Sequence, residues 1–377
     1  MPDCRDFVKQ GIRIILKICH VISGDLWAGA EMMCLRLLTG LCGIKGAELS
    51  AILMNEGKLA REIRKLGVPV EIVDETRVNI FRALRQVQEI LLNTRPEILH
   101  THRQKENILT FLASKKARLR IPLICTQHGL DEPHDRLKWK LLSIVNRYIA
   151  SRHFRKVVAV SEDMRITLSR EHQFPARNLV MIHNGTEIRD RVHRNSGGDP
   201  FTIGSAGRLF PVKDYPFLVK IAAEVNRNEK NVRFELAGDG PEFEKLSGQI
   251  RESGLQEVFF LKGFVEDMEK FYSGLDLYIS TSLHEGFPMS ILEAMSHGLP
   301  IVAPMEGGIR EAVADGTEGF LIEGRDPERF ARKCLELYRN RDLRNRMGAA
   351  SGERVRREFS IEAMAGKYFE LYMASVA

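Results

Sequence analysis

No two cysteines in this chain are spaced C-x-x-C: Cys4, Cys19, Cys34, Cys42, Cys125 and Cys334 stand apart. That argues against zinc ribbons and a disulfide framework, and scattered thiols fit a reducing cytosol. No apolar run approaches the roughly 20 residues that span a bilayer, and the opening stretch "MPDCRDFVKQGIR" is too polar for a signal peptide. A cytoplasmic location is therefore expected. The chain has no D-x-D carboxylate pair, so no metal is expected to bridge a diphosphate, and no G-x-G-x-x-G dinucleotide fingerprint. It has no internal repeat and no low-complexity segment. No helix-turn-helix, finger or RRM pattern accompanies its positive charge, so nucleic acid is not an expected partner.

What is present reads as an ordinary globular protein. Its 377 residues, 44% hydrophobic and 28% charged, suit two domains of roughly 150–200 residues. The net charge of +6 hides an asymmetry. Residues 1–190 carry 31 Lys and Arg against 21 Asp and Glu, a net of +10; residues 191–377 carry 25 against 29, a net of −4. The excess gathers in "KKARLR" (115–120) and in residues 136–158, where Trp139, Leu142, Tyr148 and Ile149 interleave with Arg136, Lys138, Lys140, Arg147, Arg152, Arg155 and Lys156. Such a helix can lie on an anionic leaflet, peripheral to the inner face of a plasma membrane. The alternative is a core-packing helix with a solvated basic face.

Short apolar runs alternate with longer amphipathic stretches, the pattern of βαβ units and parallel sheets. Strands are expected at 12–21, 49–54, 68–73, 97–102, 122–127, 156–161 and 179–185. Helices are expected at about 29–41, 79–93 and 107–117. Around 186–200 the periodicity fails and Gly, Ser, Asp and Pro collect, the marks of a linker. A second series follows, with strands at 201–209, 233–238, 258–263, 275–281, 300–303 and 318–323. Its helices are expected at 214–228, 241–253 and 291–297, and a last one at 360–373. The expected division is a first Rossmann-like domain over 1–188, a linker over 189–200, a second such domain over 201–358 and a C-terminal helix over 359–377. Ligands of such open sheets sit at strand C-termini.

The most informative stretch is "LHEGFPMSILEAMSHGLPIVAP", residues 283–304. Glu285 and Glu293 lie eight apart around a Gly-Phe-Pro turn that leads into a small-residue helix. The start of such a helix offers free N–H groups to anions, and each carboxylate accepts two hydroxyl donors of a polyol. Eight residues of helix would separate the carboxylates by about 12 Å, which suits two parts of one long ligand better than the acid/base pair of a glycosidase. Arg208 and Lys213 flank a loop after the strand at 201–207. A guanidinium fork and an ammonium there can clamp a diphosphate. If that diphosphate leaves, its growing charge is stabilised more in the transition state than in the ground state. "GDLWAGAE" (24–31) is a further glycine-bearing turn opening a helix.

These residues resemble the retaining glycosyltransferases of family 4, two-domain enzymes of the GT-B fold with an E-x7-E signature. The likeness runs from about Ile14 to Tyr372, through "WAGAE" (27–31), "ILHTH" (98–102), "TQHG" (126–129), "VSE" (160–162), "IHNG" (182–185), "GRLFPVKDY" (207–215), "AGDGPE" (237–242) and "LKGFVED" (261–267). It implies two doubly wound domains facing across a cleft, with the C-terminal helix crossing back to the first. Residue by residue, it implies that Arg208 and Lys213 bind the donor diphosphate, Glu285 the donor sugar hydroxyls and Glu293 the ribose. Gly286, Phe287, Pro288, Met289 and Ser290 would line sugar and phosphate, Gly263 and Phe264 the base, and Gly29 the phosphates. His128 would stand at the sugar and acceptor side. Many members have glycine where Pro288 stands, and proline has no N–H to donate.

The implied activity is transfer of a sugar, with retention and without a metal or other cofactor, from a nucleotide-sugar to an acceptor hydroxyl. A UDP-sugar is favoured over a GDP- or ADP-sugar, and the acceptor would be a lipid-linked or cell-surface glycan. A nucleotide-sugar epimerase of the same fold, a small soluble acceptor, or a catalytically silent binding subunit are the alternatives. A glycogen-type phosphorylase would need a pyridoxal lysine, for which Lys213 has no context. Among the other histidines, at least one of His100 and His102 is expected to pack in the sheet.

Overall fold

The computed structural model describes residues 15–24, 29–129, 137–189 and 200–376, residues 137–139 by backbone alone. Most of the linker, the Trp27–Ala28 half of "WAGAE" and the side chains of Arg136, Lys138 and Trp139 lie outside the described residues. The chain divides into two compact units. One takes in residues 1–160, 164–183 and 361–377, the other residues 161–163 and 184–360.

The first unit is built on a seven-stranded sheet of order β3-β2-β1-β4-β5-β6-β7, every pair parallel. Its strands are β1 (Leu16–Ile22), β2 (Ala47–Leu53), β3 (Val70–Ile72), β4 (Ile98–Thr101), β5 (Leu123–Gln127), β6 (Lys156–Ala159) and β7 (Leu179–Met181). Between them run α1 (Gly29–Cys42), α2 (Lys58–Lys65), α3 (Ile80–Thr94), α4 (Gln104–Lys116) and α5 (Leu137–His153), with α6 (Glu162–Arg170) after β6. Alternation along β1 sends side chains to opposite faces. Ile18 and Ile22 join Leu37 of α1 and Ile63 of α2 in one core. Cys19 and Val21 join Val87 of α3, Leu109 of α4 and Ile149 of α5 in the other.

The second unit holds a six-stranded parallel sheet of order β10-β9-β8-β11-β12-β13. Its strands are β8 (Phe201–Ala206), β9 (Val232–Ala237), β10 (Phe259–Gly263), β11 (Leu277–Ile279), β12 (Ile301–Pro304) and β13 (Gly319–Ile322). Its helices are α7 (Tyr215–Asn228), α8 (Phe243–Glu252), α9 (Met268–Ser273), α10 (Met289–Ser296), α11 (Ile309–Ala312), α12 (Pro327–Arg339) and α13 (Arg341–Glu358). The last helix, α14 (Ile361–Val376), belongs to the first unit. Its Met364, Ala365, Tyr368 and Tyr372 are buried in the core that holds α1. Gly40 of α1 is the contact that permits this, since a Cβ there would stand 2.6 Å from that of Ala365.

Candidate active site

In the second unit, strand order reverses between β8 and β11, the topological switch point where open α/β sheets bind ligands. The loops leaving these two strands carry Arg208, Lys213 and Glu285, and they are laced together. The Leu283 N–H donates to the Val212 carbonyl at 2.8 Å and the Thr281 hydroxyl to that of Lys213 at 2.9 Å. This brings the Lys213 ammonium to 2.5 Å from Glu285, and Ser282 donates to the same carboxylate oxygen at 2.6 Å. Arg208 is exposed, its guanidinium 4.6 Å over the ring of Phe210. The two loop cations thus differ, Arg208 being exposed and Lys213 held by an acid.

The Gly-Phe-Pro turn is buried from Gly286 to Pro288, while Met289 and Ser290 are part-exposed. Pro288 caps α10, and its carbonyl accepts from the Leu292 N–H at 3.1 Å. The N–H groups of the first helical residues, Met289 to Ile291, precede that first helical bond and so have no acceptor within the helix. Glu293 is held differently from Glu285: Tyr272 of α9 donates to it at 2.8 Å. Tyr278, buried on β11, hydrogen-bonds the Ala206 backbone, and burial raises the pKa of its hydroxyl. Gly263, at φ +65°, ends β10 at the C-terminal edge of the same sheet, and Phe264 after it is 64% exposed.

Sequence reasoning missed what supports the turn. Gly308 donates its N–H to the Glu285 carbonyl at 3.0 Å, and a Cβ on it would stand 2.2 Å from the Gly286 carbonyl oxygen. Gly307 has φ +48°, and a Cβ on it would stand 2.6 Å from the Glu285 carbonyl oxygen. Adjacent glycines at 307–308 were the available signal. Tyr272 and Ser282 carried none, because nothing in their local pattern marks a partner 21 residues away or a hydroxyl at a strand end.

The first unit carries the other two candidates. Gly29 opens α1, and a Cβ on it would meet open space among the described residues. The helix is anchored within its first turn by Glu31, fully buried and paired with Arg103. His128 follows β5. Part of the residue is accessible to solvent, yet the ring lies deep among neighbouring atoms. Burial, with the charge of Arg103 second, pushes its pKa down to about 3. His100 is buried in the sheet, with Tyr372 and Thr126 on its two ring nitrogens at 2.6 and 2.8 Å.

Two Rossmann-like units with a cationic and carboxylate loop set at the second sheet's switch point define a GT-B protein, and solved structures agree. Over 95% of this chain and all of the other, the structure aligns with HepE from Anabaena in complex with UDP at TM-score 0.81 and 21% identity. The HepE complex with UDP-glucose matches at TM-score 0.81 and 20% identity. Residues 187–354 match the family described as glycosyl transferases group 1, and residues 27–190 match glycosyltransferase family 4. The chain belongs to the group 1 glycosyltransferases of family 4. It is 24% identical, over 96% of its length and 97% of the relative's, to the UDP-Gal:alpha-D-GlcNAc-diphosphoundecaprenol alpha-1,3-galactosyltransferase of Escherichia coli. It is 27% identical to the poly(ribitol-phosphate) alpha-N-acetylglucosaminyltransferase of Staphylococcus aureus, over 57% of this chain and 43% of that enzyme.

Proposed function

We propose that this glycosyltransferase moves a sugar from a UDP-sugar, with retention, to a hydroxyl of a lipid-linked or cell-surface glycan in polysaccharide assembly. The observation that carries the reading is the pair of unlike carboxylates at one sheet edge. Glu285 faces a lysine and Glu293 a tyrosine, so one borders charge and the other a neutral donor. That asymmetry suits a ligand whose diphosphate and sugar lie by Lys213 and Glu285 and whose ribose lies by Glu293. Arg208 and Lys213 would then supply positive charge to the leaving diphosphate, leaving no need for a metal. Gly263 and Phe264 would border the base; for Gly29 the family resemblance suggests a part at the phosphates and for His128 one at the sugar and acceptor side. UDP is supported by the complexes of HepE and by the donor named for the E. coli relative, and a lipid-diphosphate acceptor by that relative's name. Retention follows the E-x7-E resemblance.

The acceptor side is expected at a membrane surface. Helix α5 exposes Leu141, Ile144, Val145 and Tyr148 at i, i+3, i+4 and i+7, among exposed Lys140, Arg147 and Arg152. The Arg152 guanidinium sits 4.8 Å over the Tyr148 ring. Ile149, read from sequence as part of this face, instead packs in the core. An apolar stripe edged with cations suits an anionic leaflet, and no helix among the described residues is long and apolar enough to cross one. The test is a donor panel of UDP-, GDP- and ADP-sugars assayed with undecaprenyl-diphosphate-linked glycan, with and without excess EDTA. Transfer from a UDP-sugar that survives EDTA and keeps the anomer is expected. Hydrolysis or epimerisation of donor without transfer, or activity restored only by Mg²⁺ or Mn²⁺, overturns it.

A further inference from the structure

Three histidines of the first unit form a string, of which the reading above uses only His128. His20 on β1 and His102 after β4 are 0% and 2% exposed. The His20 Nδ1 lies 3.0 Å from the His102 Nε2, and the His102 Nδ1 lies 3.3 Å from the His128 Nε2. All three rings are kept neutral, burial being the largest cause in each. A neutral imidazole donates from one nitrogen and accepts at the other. In a string of them, the tautomer of one dictates the rest, so only two arrangements exist.

The buried end chooses between these two arrangements. The His20 Nε2 has no hydrogen-bond partner among the described residues, and a buried orphan N–H is costlier than an idle lone pair. The thiol of Cys34 lies near, within 4.8 Å of a ring nitrogen of His20 and of His102. Burial, with Glu31 second, keeps that thiol protonated, so it offers a weak donor rather than an anion. The lone pair therefore belongs on the His20 Nε2 and the proton on Nδ1. The donors then run outward: His20 Nδ1–H to His102, and His102 Nδ1–H to the His128 Nε2. The His128 Nδ1, which has no hydrogen bond among the described residues, is left carrying the remaining proton.

We propose that His102 and His20 are positioning residues that lock His128 in the Nδ1–H tautomer, so that it presents a neutral hydrogen-bond donor to a hydroxyl or ring oxygen of the bound substrate. The role of His128 rests on the glycosyl-transfer reading; the tautomer lock does not. The lock also denies His128 the part of a base at Nδ1, since that nitrogen has no free pair.

Long-range ¹H–¹⁵N correlation spectra of histidine-labelled enzyme at pH 7 test the lock directly. The expected result is the Nδ1–H pattern for His20, His102 and His128. An Nε2–H pattern or an imidazolium at His128 overturns the proposal. In His102→Phe, which breaks the string, the His128 signal should become a mixture of tautomers and kcat should fall about tenfold with KM for the nucleotide-sugar unchanged. His102→Gln, which can still accept and donate, should recover most of the loss. An unchanged His128 signal in His102→Phe refutes the lock. Stoichiometric zinc or copper in the purified protein by mass spectrometry also refutes it, because a metal would take the lone pairs that the string requires. The expected spectra from a protein that transfers no sugar would sink the functional reading and leave the lock standing.

Discussion

Replacing Lys213 with Met is the sharpest perturbation of the donor site, because it removes the charge and keeps most of the stem's volume. The proposed role assigns this ammonium to a diphosphate whose charge grows during bond breaking. Loss of one such fixed contact is worth about 3–4 kcal/mol, or two to three decades in kcat/KM. The same change strips Glu285 of its cation. The two side chains are 22% and 15% exposed, so among the described residues the carboxylate keeps only the Ser282 hydroxyl. That costs about 1–3 kcal/mol of stability, which a thermal melt detects. The double variant Lys213→Met/Glu285→Gln removes the uncompensated charge. It should regain most of the lost stability while activity stays low. Stability and catalysis are thereby separated in one set of proteins. A Lys213→Met enzyme that melts like wild type and keeps kcat/KM within about threefold would refute the clamp and the ion pair together.

Three further outcomes follow from the same geometry. Glu293→Ala should weaken binding of free UDP in a calorimetric titration by removing the ribose acceptor, whereas Glu285→Ala should bind UDP nearly as wild type and lose transfer from the full donor; indistinguishable titrations would end that division of labour. Gly308→Ala should lower stability by about 1–3 kcal/mol and reduce transfer, since its Cβ would displace the Gly286 carbonyl, and a variant with the parent's melting temperature would show that the turn yields freely. Sedimentation with vesicles should require anionic lipid, decline as salt rises, and drop when Lys140, Arg147 and Arg152 become Gln; equal recovery on neutral vesicles would leave α5 without a membrane role.

Some of this was legible in the chain alone, for local reasons. Strands such as β11 (Leu277–Ile279) and β12 (Ile301–Pro304) declare themselves because both faces of a parallel sheet are covered, which leaves a continuous apolar run. Arg208, Lys213 and Glu285 stand out as candidates because they lie in strand-end loops with turn residues, where such a fold carries chemistry, and Glu293 because it follows that turn on α10. Helix α13 was not legible: half of "RDLRNRMGAASGERVRRE" is charged, and its few buried apolar side chains, such as Met347 and Val355, make too thin a stripe to read. Helix α12 had a readable start, Asp326 capping the N–H groups of Glu328 and Arg329 with Pro327 between, and was still passed over. What only the tertiary structure decided is which distant residues meet. Tyr272 reaches Glu293, Gly308 supports the Glu285 turn, Ile149 turns inward while Tyr148 stays out, and His20 joins His102 across 82 residues. Those pairings depend on parallel strand order, in which β1 lies beside β4, and sheet order is set by packing among all the helices rather than by any short stretch of chain.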